Sequence, residues 1–67
     1  MNKVYIMEVS DKDRFPKVLC KVRGNDMDWD FIVNNHIPLT ACPFEEEQAK
    51  QIVGILGLDE VILRPVS

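Results

Sequence analysis

Cysteine, histidine, aromatic residues and excess positive charge are all scarce in this chain, and each scarcity removes a class of function. Two cysteines in 67 residues are too few for a disulfide-stapled secreted scaffold, which usually carries four or more. With one histidine, the soft ligands are Cys20, His36 and Cys42. They lack both the fourth ligand of a structural zinc site and its close Cys-x-x-Cys knuckle. No apolar run is long enough for a membrane-spanning helix. No basic stretch followed by an apolar one opens the chain, so no secretory leader is expected. The expectation is a reduced, cytoplasmic protein with a buried thiol at Cys20, while a Cys20–Cys42 disulfide stays open. Lysine and arginine number 8 against 11 acidic residues, a net charge of −3. Phosphate-rich partners require a basic surface, so nucleic acid and anionic membranes are poor candidates.

Tyr5, Phe15, Trp29, Phe31 and Phe44 are the whole aromatic complement, so the core must be built from valine, isoleucine and leucine. An apolar fraction of 46% suits a globular chain and argues against disorder. A chain this short holds one domain, residues 1–67, and buries only about 60% of its unfolded surface.

Lys3 to Ser10 is rich in β-formers, with Val4 and Ile6 on one face and Tyr5, Met7 and Val9 on the other; it reads as a strand covered on both sides. Asp11 to Pro16 is a polar connection closed by proline. Lys17 to Arg23 alternates: Val18, Cys20 and Val22 against Lys17, Leu19, Lys21 and Arg23, the pattern of a half-buried antiparallel strand. Gly24-Asn25-Asp26 supplies turn chemistry. Trp29 to Asn34 then reads as a third strand, with Trp29, Phe31 and Val33 meeting Val18, Cys20 and Val22 across a hairpin. Asn35 to Pro43 reads as irregular, because Pro38 and Pro43 forbid a central strand.

The clearest periodicity follows. Ala49, Ile52, Val53 and Leu56 recur at helical spacing and make one apolar stripe, so a helix is expected from about Glu45 to Leu56. Glu45 and Gln48 stand at capping-box spacing, and Phe44 can staple onto Ala49. Gly57 is the expected left-handed residue after the helix, with Leu58 folding back on Val53. Gly54 costs about 1 kcal/mol inside a helix, which close approach of helix to sheet would offset. Glu60 to Val66 reads as a final strand, with Pro65 at an edge. The expected fold is α+β: a small antiparallel-rich sheet in the order β-β-β-α-β, with one helix packed on one face.

Few motifs suggest chemistry. Asp26, Asp28 and Asp30 open like a calcium loop, but the required glycine and bidentate glutamate are replaced by Phe31 and Ile37. Cys42 precedes a helix, whose N-terminus lowers thiol pKa values; Glu45, Glu46 and Glu47 oppose that effect, and Cys42 with His36 is no triad. The three glutamates suit the positive end of a helix dipole. No catalytic residue, metal or cofactor is therefore assigned, and no enzymatic activity is expected.

A single helix leaves one sheet face open. On that face the sequence puts Tyr5, Met7, Leu19, Ile32 and Arg64, a candidate patch for another protein or a second copy of the chain. The competing expectation is an acidic nucleic-acid mimic that uses Asp26, Asp28, Asp30 and Glu45 to Glu47 against a nucleic-acid-binding protein.

The run Ala41-x-x-Phe44-x-x-Glu47-x-Ala49-x-x-Ile52, then Leu56-Gly57 and a β-rich tail, resembles small uncharacterised phage and prophage proteins. It covers residues 41–67 and departs from their pattern at Pro43. The resemblance implies a plan of N-terminal hairpin, helix and final strand. It also implies a binding role, some such proteins inhibiting a host enzyme or defence complex, and it transfers no site residue.

Overall fold

The computed structural model describes residues 2–9, 15–24, 26–58 and 60–66. Ser10, most of the Asp11–Pro16 connection and Asn25 lie outside them. The elements are β1 (Lys3–Glu8), β2 (Lys17–Arg23), β3 (Asp26–Phe31), β4 (Phe44–Glu45), α1 (Glu46–Leu56) and β5 (Val61–Pro65). They form an antiparallel five-stranded sheet plus one helix, a small α+β fold. β4 is the element missing from the expected order, because the sequence pattern reads Phe44 as a staple and Glu45 as the start of the helix.

β1 is the hub. Along one edge it pairs with β5 over its whole length, from Val4↔Pro65 to Glu8↔Val61. Along the other edge it is shared. Its C-terminal end meets β2 at Met7↔Val18 and Glu8↔Lys17, and its N-terminal end meets β4 at Lys3↔Glu45 and Val4↔Phe44. β1 and β2 therefore part like a fork. The chain from Thr40 to Glu45 fills the gap: Lys21 N–H bonds Thr40 O at 2.9 Å, Cys42 N–H bonds Leu19 O at 3.1 Å, and Cys20 bridges Ala41.

The Asn35–Pro43 stretch, expected to be irregular, is thus built from defined turns. Asn34 and Asn35 both hold positive φ, 54° and 62°, and His36 N–H bonds Val33 O at 3.0 Å. Two successive positive-φ residues inside a tight reversal suit asparagine, which tolerates the left-handed region better than other non-glycine residues. A second turn closes with Ala41 N–H on Pro38 O at 3.0 Å, and Leu39 at its tip is fully exposed.

β3 begins and ends three residues before the expected Trp29–Asn34, so the aspartate run is strand rather than turn. The β2–β3 register is Lys17↔Phe31, Leu19↔Trp29 and Lys21↔Met27, with an irregularity between Lys21 and Arg23. Trp29 therefore faces Leu19, not the Val18 phase. A one-residue slip of this kind moves every side chain to the other face.

Both faces carry apolar clusters. On the helix side lie Val4, Ile6, Leu19, Phe44 and Ala49, with Trp29, Cys42, Ile52, Val53, Leu58, Val61 and Leu63 against them. On the reverse side Met7, Val18, Cys20 and Ile32 pack with Tyr5, Ile37 and Ala41. Val18 and Cys20 sit on one face and Leu19 on the other, so β2 is buried from both sides. The fully buried Ile6 and Val18 anchor the two layers; burying a side chain such as Ile6 contributes about 1.5–3 kcal/mol. The reverse face is not left open. The chain returning from the asparagine turn covers it.

The helix runs Glu46–Leu56. Phe44 and Ala49 are buried together as a staple. No side chain caps the N-terminus, because Glu45 is held in β4 opposite Lys3. Glu46 instead pairs with Lys50 at 3.6 Å on the exposed face. At the other end Gly57 adopts φ 64°, ψ 37°. Gly57 N–H reaches Gly54 O at 3.3 Å, and Leu58 N–H reaches Val53 O at 3.4 Å, the paired bonds of a Schellman close.

Gly54 is exposed, and a Cβ there would meet nothing within 4 Å. Close helix–sheet approach does not explain it. Gly54→Ala should stabilise the protein by about 0.5–1 kcal/mol through helix propensity alone, read as a rise of several degrees in the thermal midpoint. Asn35→Ala, which must keep positive φ without an amide, should lower stability by about 1 kcal/mol, while Asn35→Gly should not.

Candidate functional site

The five residues expected to form an open patch do not lie on one accessible surface. Met7, Leu19 and Ile32 are buried, at 8%, 5% and 3% exposure, and Leu19 belongs to the helix-side cluster while Met7 and Ile32 belong to the reverse one. Tyr5 and Arg64 are half-buried neighbours across the β1–β5 ladder. The expectation failed because the loop after β3 supplies the second cover that a helix count cannot reveal.

The uncovered surface lies elsewhere. The backbone of α1 approaches β1, β4 and β5, and none of its Cα atoms comes within 8 Å of a β2 or β3 Cα. The helix-side face of the β2–β3 hairpin therefore extends beyond the helix. Directly opposite residues share a face, so this surface carries Met27, Trp29 and Phe31 on β3 opposite Lys21, Leu19 and Lys17 on β2. Trp29 is half-buried against the core, whereas Met27 and Phe31 are 41% and 46% exposed. The Lys17 ammonium stands 5.5 Å from the centre of the Phe31 ring, a cation–π distance. The row is apolar in its middle and basic along one side. Sequence reasoning missed it by one residue of register, which had put the aromatics opposite Val18 instead of the lysines.

At the far end of β2 this face runs into an open groove of about 420 Å³, lined in part by Lys21, Arg23, Leu39, Thr40 and Cys42. Leu39 stands fully exposed at its rim. Cys42 packs toward the helix side and Cys20 toward the reverse side, so adjacent segments carry the two free thiols on opposite faces. His36 is exposed beside the asparagine turn. Among the described residues no group of three metal-ligating side chains forms, and no helix is long and apolar enough to cross a membrane.

The aspartate run has a structural role at the edge. β3 bonds only β2. Ile32 N–H points inward to Pro16 O at 2.8 Å, so by alternation the N–H groups of Trp29 and Phe31 point outward. Each is taken by the preceding side chain: Trp29 N–H donates to Asp28 Oδ1 at 2.7 Å, and Phe31 N–H to Asp30 Oδ1 at 2.8 Å. Charged residues that also occupy the free donors keep an edge strand from adding another strand.

Comparison with protein-family models, curated proteins and solved structures finds no significant match to this chain, so function has to be argued from the surface itself.

Replacing Asp28 and Asp30 together by alanine should leave the fold intact and make the protein associate into species larger than those of the wild type at equal concentration, seen by light scattering. Asparagine at both positions keeps the acceptor oxygen and removes the charge. It should give an intermediate result, which separates donor capture from repulsion.

Proposed function

We propose that this is a small non-enzymatic interaction module that binds another protein through the helix-side face of the β2–β3 hairpin. One observation carries the reading: Met27, Trp29 and Phe31 stand in a row beside Lys17 and Lys21, on sheet surface that the helix does not reach. Aromatic and methionine side chains are enriched at protein interfaces, and the flanking lysines add a charge that steers and orients a partner. A complementary partner presents an apolar pocket rimmed by acidic groups. The likeness to small phage proteins supports a setting in which that partner is a host or phage protein in the cytoplasm.

A lysine-flanked aromatic row also suits stacking of single-stranded nucleic acid. Asp26, Asp28 and Asp30 on the same strand and the net charge of −3 oppose phosphates, and protein is the better-supported partner. The acidic-mimic reading keeps one favourable observation, the alternating aspartate row on an exposed strand. It is weakened by the use of Asp28 and Asp30 as backbone acceptors and of Glu46 as the partner of Lys50.

The test is affinity capture from host lysate with the wild type, with Met27→Asp/Phe31→Asp, and with Ile55→Asp on the exposed helix side as control. The double variant should lose the partners that wild type and control retain, with unchanged circular dichroism. Lys21→Glu should weaken capture at low salt and matter little at high salt. Equal capture by all variants would remove the reading. Saturable binding of an oligonucleotide at the same face would transfer it to nucleic acid, and capture abolished by the aspartate replacements alone would favour the mimic.

A further inference from the structure

The two edges of the sheet are built differently. β3 is guarded by aspartates, and β5 is not. Val66 N–H bonds Lys3 O at 3.0 Å and Val9 N–H bonds Glu60 O at 3.1 Å, so the even-numbered residues of β5 turn their backbone groups toward β1. Val61, Leu63 and Pro65 therefore turn theirs outward. Among the described residues nothing pairs with that outer edge. Pro65 carries no N–H, so the outward donors are those of Val61 and Leu63.

We infer that β5 is the contact strand of a symmetric homodimer, in which two copies pair antiparallel about a two-fold axis at Ile62. The register follows from the residues. With Ile62 facing Ile62 of the second copy, Val61 stands opposite Leu63 in both directions. These are the outward-turned residues, so each such pair exchanges both of its N–H···O bonds, and every outward donor on both strands is used. Arg64 falls opposite Glu60, an opposite-charge pair that occurs twice by symmetry. Ile62, half exposed at 50% on the reverse face beside Met7, loses that exposure against its own copy.

The neighbouring register, centred on Leu63, fits worse. It puts Pro65 opposite Val61 and leaves the Val61 carbonyl without a donor. It also sets Arg64 against Ile62 and Glu60 against Val66. An isologous contact of this kind closes on itself and joins two sheets into one. The β3 edges, at the outer ends of the joined sheet, stay blocked by their aspartates. The contact uses the edge opposite the β2–β3 hairpin and stands independently of the proposed binding face.

The experiment is sedimentation equilibrium of the full chain over a concentration series, with circular dichroism confirming each variant's fold. Wild type should show a monomer–dimer equilibrium. Ile62→Lys should be monomeric while Ile55→Lys still dimerises. Glu60→Arg and Arg64→Glu should each weaken the dimer severalfold, and the double exchange should restore it. Ile62→Cys should oxidise to a covalent dimer whose bridge maps to position 62 in both copies, since directly opposed non-hydrogen-bonded residues lie about 4.5 Å apart, within disulfide reach. A wild type that stays monomeric at millimolar concentration overturns the inference. So does a dimer indifferent to Ile62→Lys and to the charge reversals.

Discussion

The reversal from Val33 to His36 keeps Asn34 and Asn35 at positive φ and sends the chain back beneath β2. Ile37 and Ala41 then reach the reverse cluster around Val18 and Cys20, and Thr40 to Cys42 bond the edge of β2 where β1 has turned away. A short continuation brings Phe44 onto β1 and into the opposite cluster. One tight turn thus supplies the cover for one face, the wedge that fills the sheet, and the entry to the helix. A chain of this size has little apolar surface to spare, and serving both layers with one segment is how it covers a two-sided sheet with a single helix.

Much of the fold was legible from local pattern. The helix, its staple and its glycine close were written in the spacing of Phe44, Ala49, Val53, Gly57 and Leu58. Three strands carried clear β-forming runs, and Pro65 marked an edge. The failures were failures of register and of long-range cover. Asp28 and Asp30 look like turn residues until they are seen accepting bonds from their own strand. Trp29 could be put on either face until Leu19 was known to lie opposite. The asparagine pair was a readable turn signal, yet Pro38 and Pro43 disguised the pairing that follows it. The patch of Met7, Leu19 and Ile32 was lost for the same reason, because strand alternation shows which residues share a face and not what covers that face. The exposed Met27–Phe31 row depended on the corrected register and on where the helix stops, and neither is a local property.

The surface divides accordingly. One end of the sheet offers apolar and basic side chains around a guarded edge, so the binding proposed there would rest on side chains rather than strand addition. The opposite end offers backbone donors on an edge with a single charged residue, Arg64, among Val61 to Pro65. The proposed binding face and the proposed dimer edge are kept apart by the width of the sheet.

The hub position of β1 also shapes how the molecule acquires and loses structure. Its partners are β2, β4 and β5, the last drawn from the far end of the described chain. Most of its ladder must therefore wait for distant segments to arrive, a high-contact-order topology that folds more slowly than a helical bundle of equal length. Among the described strands the β2–β3 hairpin has the longest ladder between sequence neighbours. Opening the central pairings of β1 takes the whole sheet apart, so the interior amides of β1 belong to the unit that opens only with the whole molecule.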